Sequence, residues 1–196
     1  MKISLCMLIS AFTLFSTSAR AELINGIDFP QGTVSFADEW VQYSPSANVI
    51  DPYNNPQNAL GIPDGSYVSL GDEGSLVLRF TDNALTTSGD STDDLWIFEI
   101  GSLSEPPSVS ISTNGTTWIN VGDTSGGKSG IDIDAYVGSG VVLGGFYSYL
   151  RLTDMLPHQS SSPSGVATLM RWGRSVGPGP YASPARCGCW EEGCWG

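Results

Sequence analysis

Turn-forming residues constrain this chain more than any other feature. Glycine occurs 24 times and proline 12 times in 196 residues, and the apolar stretches between them are short. A helix interior loses about 1 kcal/mol for each glycine and about 3 for each proline relative to alanine, so long helices have little room. Short strands tolerate this punctuation, because turns at their ends are where glycine and proline belong. The segment "SLVLRF" at 75–80 shows the matching period: Leu76, Leu78 and Phe80 fall on one face, Ser75, Val77 and Arg79 on the other. Comparable runs predict strands over residues 40–43, 66–70, 75–80, 95–100, 108–112, 117–121, 131–135 and 146–152. The expected class is all-β.

The segment "SVSISTNGTTWINV" carries the clearest local signal. Val109 and Ile111 alternate with serines, Asn114-Gly115 suits the positive φ angles of a tight hairpin, and Trp118, Ile119 and Val121 form the returning strand. Asn114-Gly115-Thr116 also matches a glycosylation acceptor, although a turn accounts for it. Trp96 and Trp118 are expected in the core, given the apolar area an aromatic side chain buries.

The front of the chain has a different character. Met1-Lys2, an apolar run through Phe15 and the small-residue stretch "STSARA" read as a secretory signal peptide cut after Ala21. The run is shorter than the roughly 20 apolar residues a spanning helix needs. The expected organisation is a signal at 1–21, a lead-in at 22–35, a single β-sandwich domain at 36–165 and an irregular tail at 166–196. Over residues 22–164 there are 18 Asp or Glu against only Arg79, Lys128 and Arg151. Such a surface repels phosphate backbones, which argues against nucleic acid as a partner.

The blocks "NPQNALGIPDGSYVSLGDEGSLVLRFTDNALT", "DDLWIFEIG", "EPPSVSISTNGTTWINVG" and "FYSYLRLTD" together resemble bacterial exported domains related to the discoidin and coagulation-factor type C modules. The likeness covers about residues 36–156. It implies an antiparallel jelly-roll β-sandwich of the galactose-binding-like fold, with eight or nine strands and loops at one end that bind glycans, other surface molecules or calcium. Many relatives end in a sorting tail of the PEP-CTERM type, with a short apolar helix.

This chain ends otherwise. After Ser164, Cys187, Cys189 and Cys194 gather with three tryptophans and three arginines. Shifting the reading frame by two nucleotides turns 187–196 into a string with two forced Leu-Gly pairs, the pattern of a sorting helix. Over 167–172 the same shift permits Asp-Ile-Asp-Ala-Val-Gly, the expected last strand. The tail therefore reads as an out-of-frame remnant, and membrane association as a property of the lost tail. At face value, the three cysteines would be metal ligands or disulfide partners, but C-x-C-x4-C lacks a second spaced pair for zinc.

Two surfaces remain as binding candidates. In the loop "SPSANVIDPYNNPQNALGIPDG", Tyr53 can stack on a sugar while Asn54, Asn55 and Asn58 bond its hydroxyls; the same residues are also ordinary turn formers. In "SGDSTDD", Asp90, Asp93 and Asp94 offer oxygens to calcium, although no complete EF-hand set is present and an acidic turn also explains them. His158 has no G-x-S-x-G elbow to serve, and "SGGKSG" lacks phosphate-loop spacing. The expectation is a secreted or cell-surface, non-catalytic module binding carbohydrate or another surface partner. The alternatives are a structural surface or matrix protein without a small ligand, and a calcium-dependent glycan hydrolase.

Overall fold

The computed structural model describes residues 21–100 and 106–155. The expected signal segment up to residue 20, His158 and the cysteine-containing tail lie outside them. Nine short strands run through the described residues: β1 Glu22–Ile24, β2 Ile27–Phe29, β3 Glu39–Ser44, β4 Ser75–Arg79, β5 Leu95–Phe98, β6 Ser108–Ser112, β7 Ile119–Asp123, β8 Lys128–Ile131 and β9 Tyr149–Thr153. Only three single-turn 3-10 segments interrupt them, at Gly32–Ser35, Pro56–Ala59 and Ile133–Tyr136. All strand pairings are antiparallel, so the all-β expectation holds.

Strands β3-β4-β9-β6-β7 form a five-stranded sheet, β5 pairs with β8, and β1 pairs with β2. Across the large sheet, Tyr43, Leu76, Leu152 and Val109 lie in one row and Leu78, Leu150, Ile111 and Ile119 in the next. These side chains face inward and join Leu95, Ile97, Phe98 and Ile131 of the β5-β8 pair in a single apolar cluster. Phe29 enters the same cluster from β2, 5.2 Å from Phe36 and 6.4 Å from Phe98 between ring centroids. The arrangement is sandwich-like, with two strand layers contributing to one core.

Three expectations about strands and turns are corrected. The two-residue Asn-Gly hairpin is at Asn25-Gly26, where both φ values are positive, at 51° and 82°, and Ile24 pairs with Ile27. β6 and β7 do pair across Asn114-Gly115 as expected, but the connection runs over residues 113–118 rather than through a two-residue turn. There Asn114 Oδ1 accepts from the Thr116 and Thr117 amides, each at 2.9 Å, and Ser112 Oγ accepts from the Gly115 amide at 2.9 Å. Residues 66–70 join no ladder. Val68 and Leu70 are buried, while the backbone groups nearby pair with loops and a side chain: Tyr43 Oη donates to the Ser69 carbonyl at 2.6 Å, and the Ser69 amide to the Tyr53 carbonyl at 2.8 Å. The strand expected over 131–135 ends at Ile131, because Asp132 Oδ1 accepts from the Asp134 amide at 2.9 Å and caps a 3-10 turn.

Trp96 packs against the core as expected, but Trp118 does not. Ile119 and Val121 of β7 point inward, so the alternation of side chains turns Trp118 to the opposite face. Leu150→Ala removes a fully buried side chain between Leu78 and Ile111. It is expected to cost about 2–5 kcal/mol in urea unfolding. Trp118→Ala is expected to cost less, about 1–2 kcal/mol, the scale of one half-buried cation-aromatic contact.

Candidate functional site

The face of the five-stranded sheet that turns away from the core carries an unusual set of side chains. One row across it reads Gln42, Val77, Arg151, Ser110 and Asn120, and the next Glu39, Arg79, Tyr149 and Ser112. Two of the three basic residues in the described region therefore stand on one face, separated by a single strand step. Arg79 donates to Glu39 Oε1 at 2.9 Å and lies 5.5 Å from the Tyr149 ring centroid. Arg151 lies 4.6 Å from the Trp118 ring centroid. It forms no ion pair among the described residues, and its Nε is buried without a hydrogen-bond acceptor.

A hollow of about 190 Å³ opens on this face, lined among others by Gln42, Val77, Gly115, Trp118, Tyr149 and Arg151. Gly115 is required where it stands: its φ is 73°, and a Cβ there would come 3.2 Å from the Tyr149 ring. The loop at 113–118 brings Trp118 to the hollow that Tyr149 also lines. Chemically, the hollow combines aromatic surface, guanidinium donors and a side-chain amide that both donates and accepts.

The loop residues chosen from sequence lie elsewhere. Tyr53 stacks on Tyr67 with ring centroids 4.7 Å apart and planes 10° from parallel. Asn55 Oδ1 accepts from the Gln57 amide at 3.1 Å, and Asn58 Nδ2 donates to the Tyr67 carbonyl at 3.0 Å. Those side chains hold the loop in shape, while Asn54 is exposed.

The acidic candidates separate. Asp90 Oδ1 accepts from the Thr92 amide at 2.8 Å within its own turn, and the Asp93 carboxylate lies against Gly130, where a Cβ would collide with it. Asp94 instead meets Asp132 and Asp134, with one carboxylate oxygen from each within 4.8 Å of the others. The β5-β8 register explains the meeting. Leu95 pairs with Ile131, so the residues just outside the ladder, Asp94 and Asp132, become neighbours. Asp134 Oδ2 accepts from Ser88 Oγ at 3.2 Å and from the Gly89 amide at 3.0 Å, which joins the acidic loop to the 3-10 turn.

Asp94 is fully buried. Its Oδ2 accepts from the Ile133 amide at 3.1 Å, and its Oδ1 has no partner. Burial pushes its pKa from 3.8 to about 6 against the lowering effect of the nearby Ser88 hydroxyl and the Ile133 amide, and the charges of Asp134 and Asp132 add to the rise. Burial also raises Glu99 and Asp82.

No family model, curated protein or solved structure matches the chain. No helix among the described residues is long and apolar enough to cross a membrane.

In metal-free buffer, the folded state holds the Asp94 proton more tightly than the unfolded chain does. That contribution to stability is complete below the unfolded pKa and lost as pH rises through about 6. With chelator present, the part of the pH dependence due to Asp94 is therefore expected to favour pH 5 over pH 7. Asp94→Asn removes this part, which comparison of variant and wild-type melting curves at the two pH values measures. Equal pH dependence in both proteins contradicts the assignment.

Proposed function

We propose that this chain is an exported, non-catalytic β-sandwich module that binds a neutral glycan on the open face of its five-stranded sheet. The observation carrying the proposal is Trp118, turned away from the core beside Arg151 and Tyr149 at the rim of the hollow. A tryptophan that does not fill the core gives up the burial that usually favours its place in a sheet. Sugar rings suit such a surface, since their C–H faces pack on aromatics and their hydroxyls need both donors and acceptors. Gln42 supplies both, and the guanidinium of Arg151 supplies donors. A formal net charge of −12 on the whole chain favours a neutral polymer over an anionic one.

The same reading assigns the fold to the jelly-roll sandwiches, in kinship with the discoidin-like modules suggested by the sequence. The support is topological: an antiparallel sheet in the order β3-β4-β9-β6-β7 shares its core with a smaller strand pair. Export rests on the pattern at residues 1–21.

A glycan array with and without calcium tests the function. Wild-type protein is expected to retain one class of neutral oligosaccharide, and Trp118→Ala to weaken that binding at least about tenfold, as loss of a central aromatic anchor does. Silence in both conditions would favour a structural surface protein without a small ligand. Turnover of any glycan would favour a calcium-dependent hydrolase, and undiminished binding by Trp118→Ala would remove the assigned face.

A further inference from the structure

We infer that Asp94, Asp132 and Asp134 form a calcium site that fastens the acidic loop before β5 to the 3-10 turn after β8. Their carboxylate oxygens lie within 4.8 Å of one another, a span that calcium bridges with oxygen bonds of about 2.3–2.6 Å. Proximity among acids is not enough, since an acidic surface brings some carboxylates together. The independent observation is Asp94 itself: the residue is fully buried, and Oδ1 has no hydrogen-bond partner. A buried polar atom left unpaired is costly, and it belongs to a group whose nearest charged neighbours are also acids.

Among the described residues no basic side chain pairs with them. Among the basic residues in the described region, Arg79 engages Glu39, Arg151 lies over Trp118, and Lys128 Nζ donates to the Asn25 carbonyl at 3.0 Å. A hard divalent ion would offset two of the three carboxylate charges and give the free oxygen of Asp94 a partner in one step. The Ser88 hydroxyl, which donates to Asp134 Oδ2 at 3.2 Å, adds a further oxygen at the rim. Calcium suits the place better than magnesium, which sheds its bound waters reluctantly and demands near-ideal octahedral geometry. The site stands apart from the sheet face assigned to glycan binding, and its test does not depend on that assignment.

Calorimetric titration of the chelator-treated full chain with calcium chloride, paired with thermal melts, is the experiment. The expected result is one calcium per chain and a rise in melting temperature with calcium. Asp94→Asn and Asp134→Asn are each expected to lose at least tenfold in calcium affinity and most of that rise. Asp90→Asn is expected to keep both. If Asp94→Asn does not fold, Asp134→Asn carries the same readout from a partly exposed position. Absence of calcium binding by wild type at millimolar concentration would overturn the site, as would loss of binding in Asp90→Asn with binding retained in Asp134→Asn.

Discussion

The backbone groups of β9 are paired on both sides, with β4 along one edge and β6 along the other. Almost every feature of the large sheet depends on that double pairing. Leu150 and Leu152 carry the inner rows of the core across the middle of the sheet, while Tyr149 and Arg151 carry the outer rows. Since β4 and β6 are both remote from β9 in sequence, the sheet closes only through long-range contacts, a topology that folds slowly. One five-residue strand thus links hydrophobic stability to the chemistry of the open face.

Charge placement follows a similar economy. The region 22–164 holds 18 acids and three basic residues, and two of those basic residues stand on the face that carries Tyr149 and Trp118. Central strand positions fix their guanidinium groups beside aromatic rings rather than leaving them on flexible loops. The acids, by contrast, gather at strand ends. At one such end the β5-β8 register forces Asp94 against Asp132 and Asp134, where burial first and the neighbouring carboxylates second penalise the charged form of Asp94. The two arginines of the large sheet thereby stand apart from the three-aspartate cluster at the end of the β5-β8 pair.

Much of the strand content was legible, because alternation in "SLVLRF" and "SVSIS" reports one buried face directly. Parity within one strand was equally legible for Trp118: with Ile119 and Val121 inward, an outward tryptophan follows. Its size alone favours the core, and the parity of the strand decides against it. Asn-Gly occurs at both 25–26 and 114–115, and local sequence does not separate them; the side chains of Ser112 and Asn114 decide the second case by taking amides that a two-residue turn would use. The D-x-D spacing of Asp132 and Asp134 was visible, but its meeting with Asp94 depends on strand register, which is a non-local property. Neither the pairing of β9 with β4 nor its pairing with β6 can be read from residues adjacent in the chain.

The central claim is that the face carrying Trp118, Tyr149 and Arg151 is the surface through which this protein meets its ligand. Titration of isotope-labelled protein with neutral hexose oligomers, followed by NMR, tests it most directly. The account expects the largest shifts at the Trp118 indole N–H, the Gly115 amide and the Arg151 Nε–H, with small changes elsewhere. Shifts confined to Tyr53, Asn54, Asn55 and Asn58, or no shifts with any neutral oligomer, would contradict it.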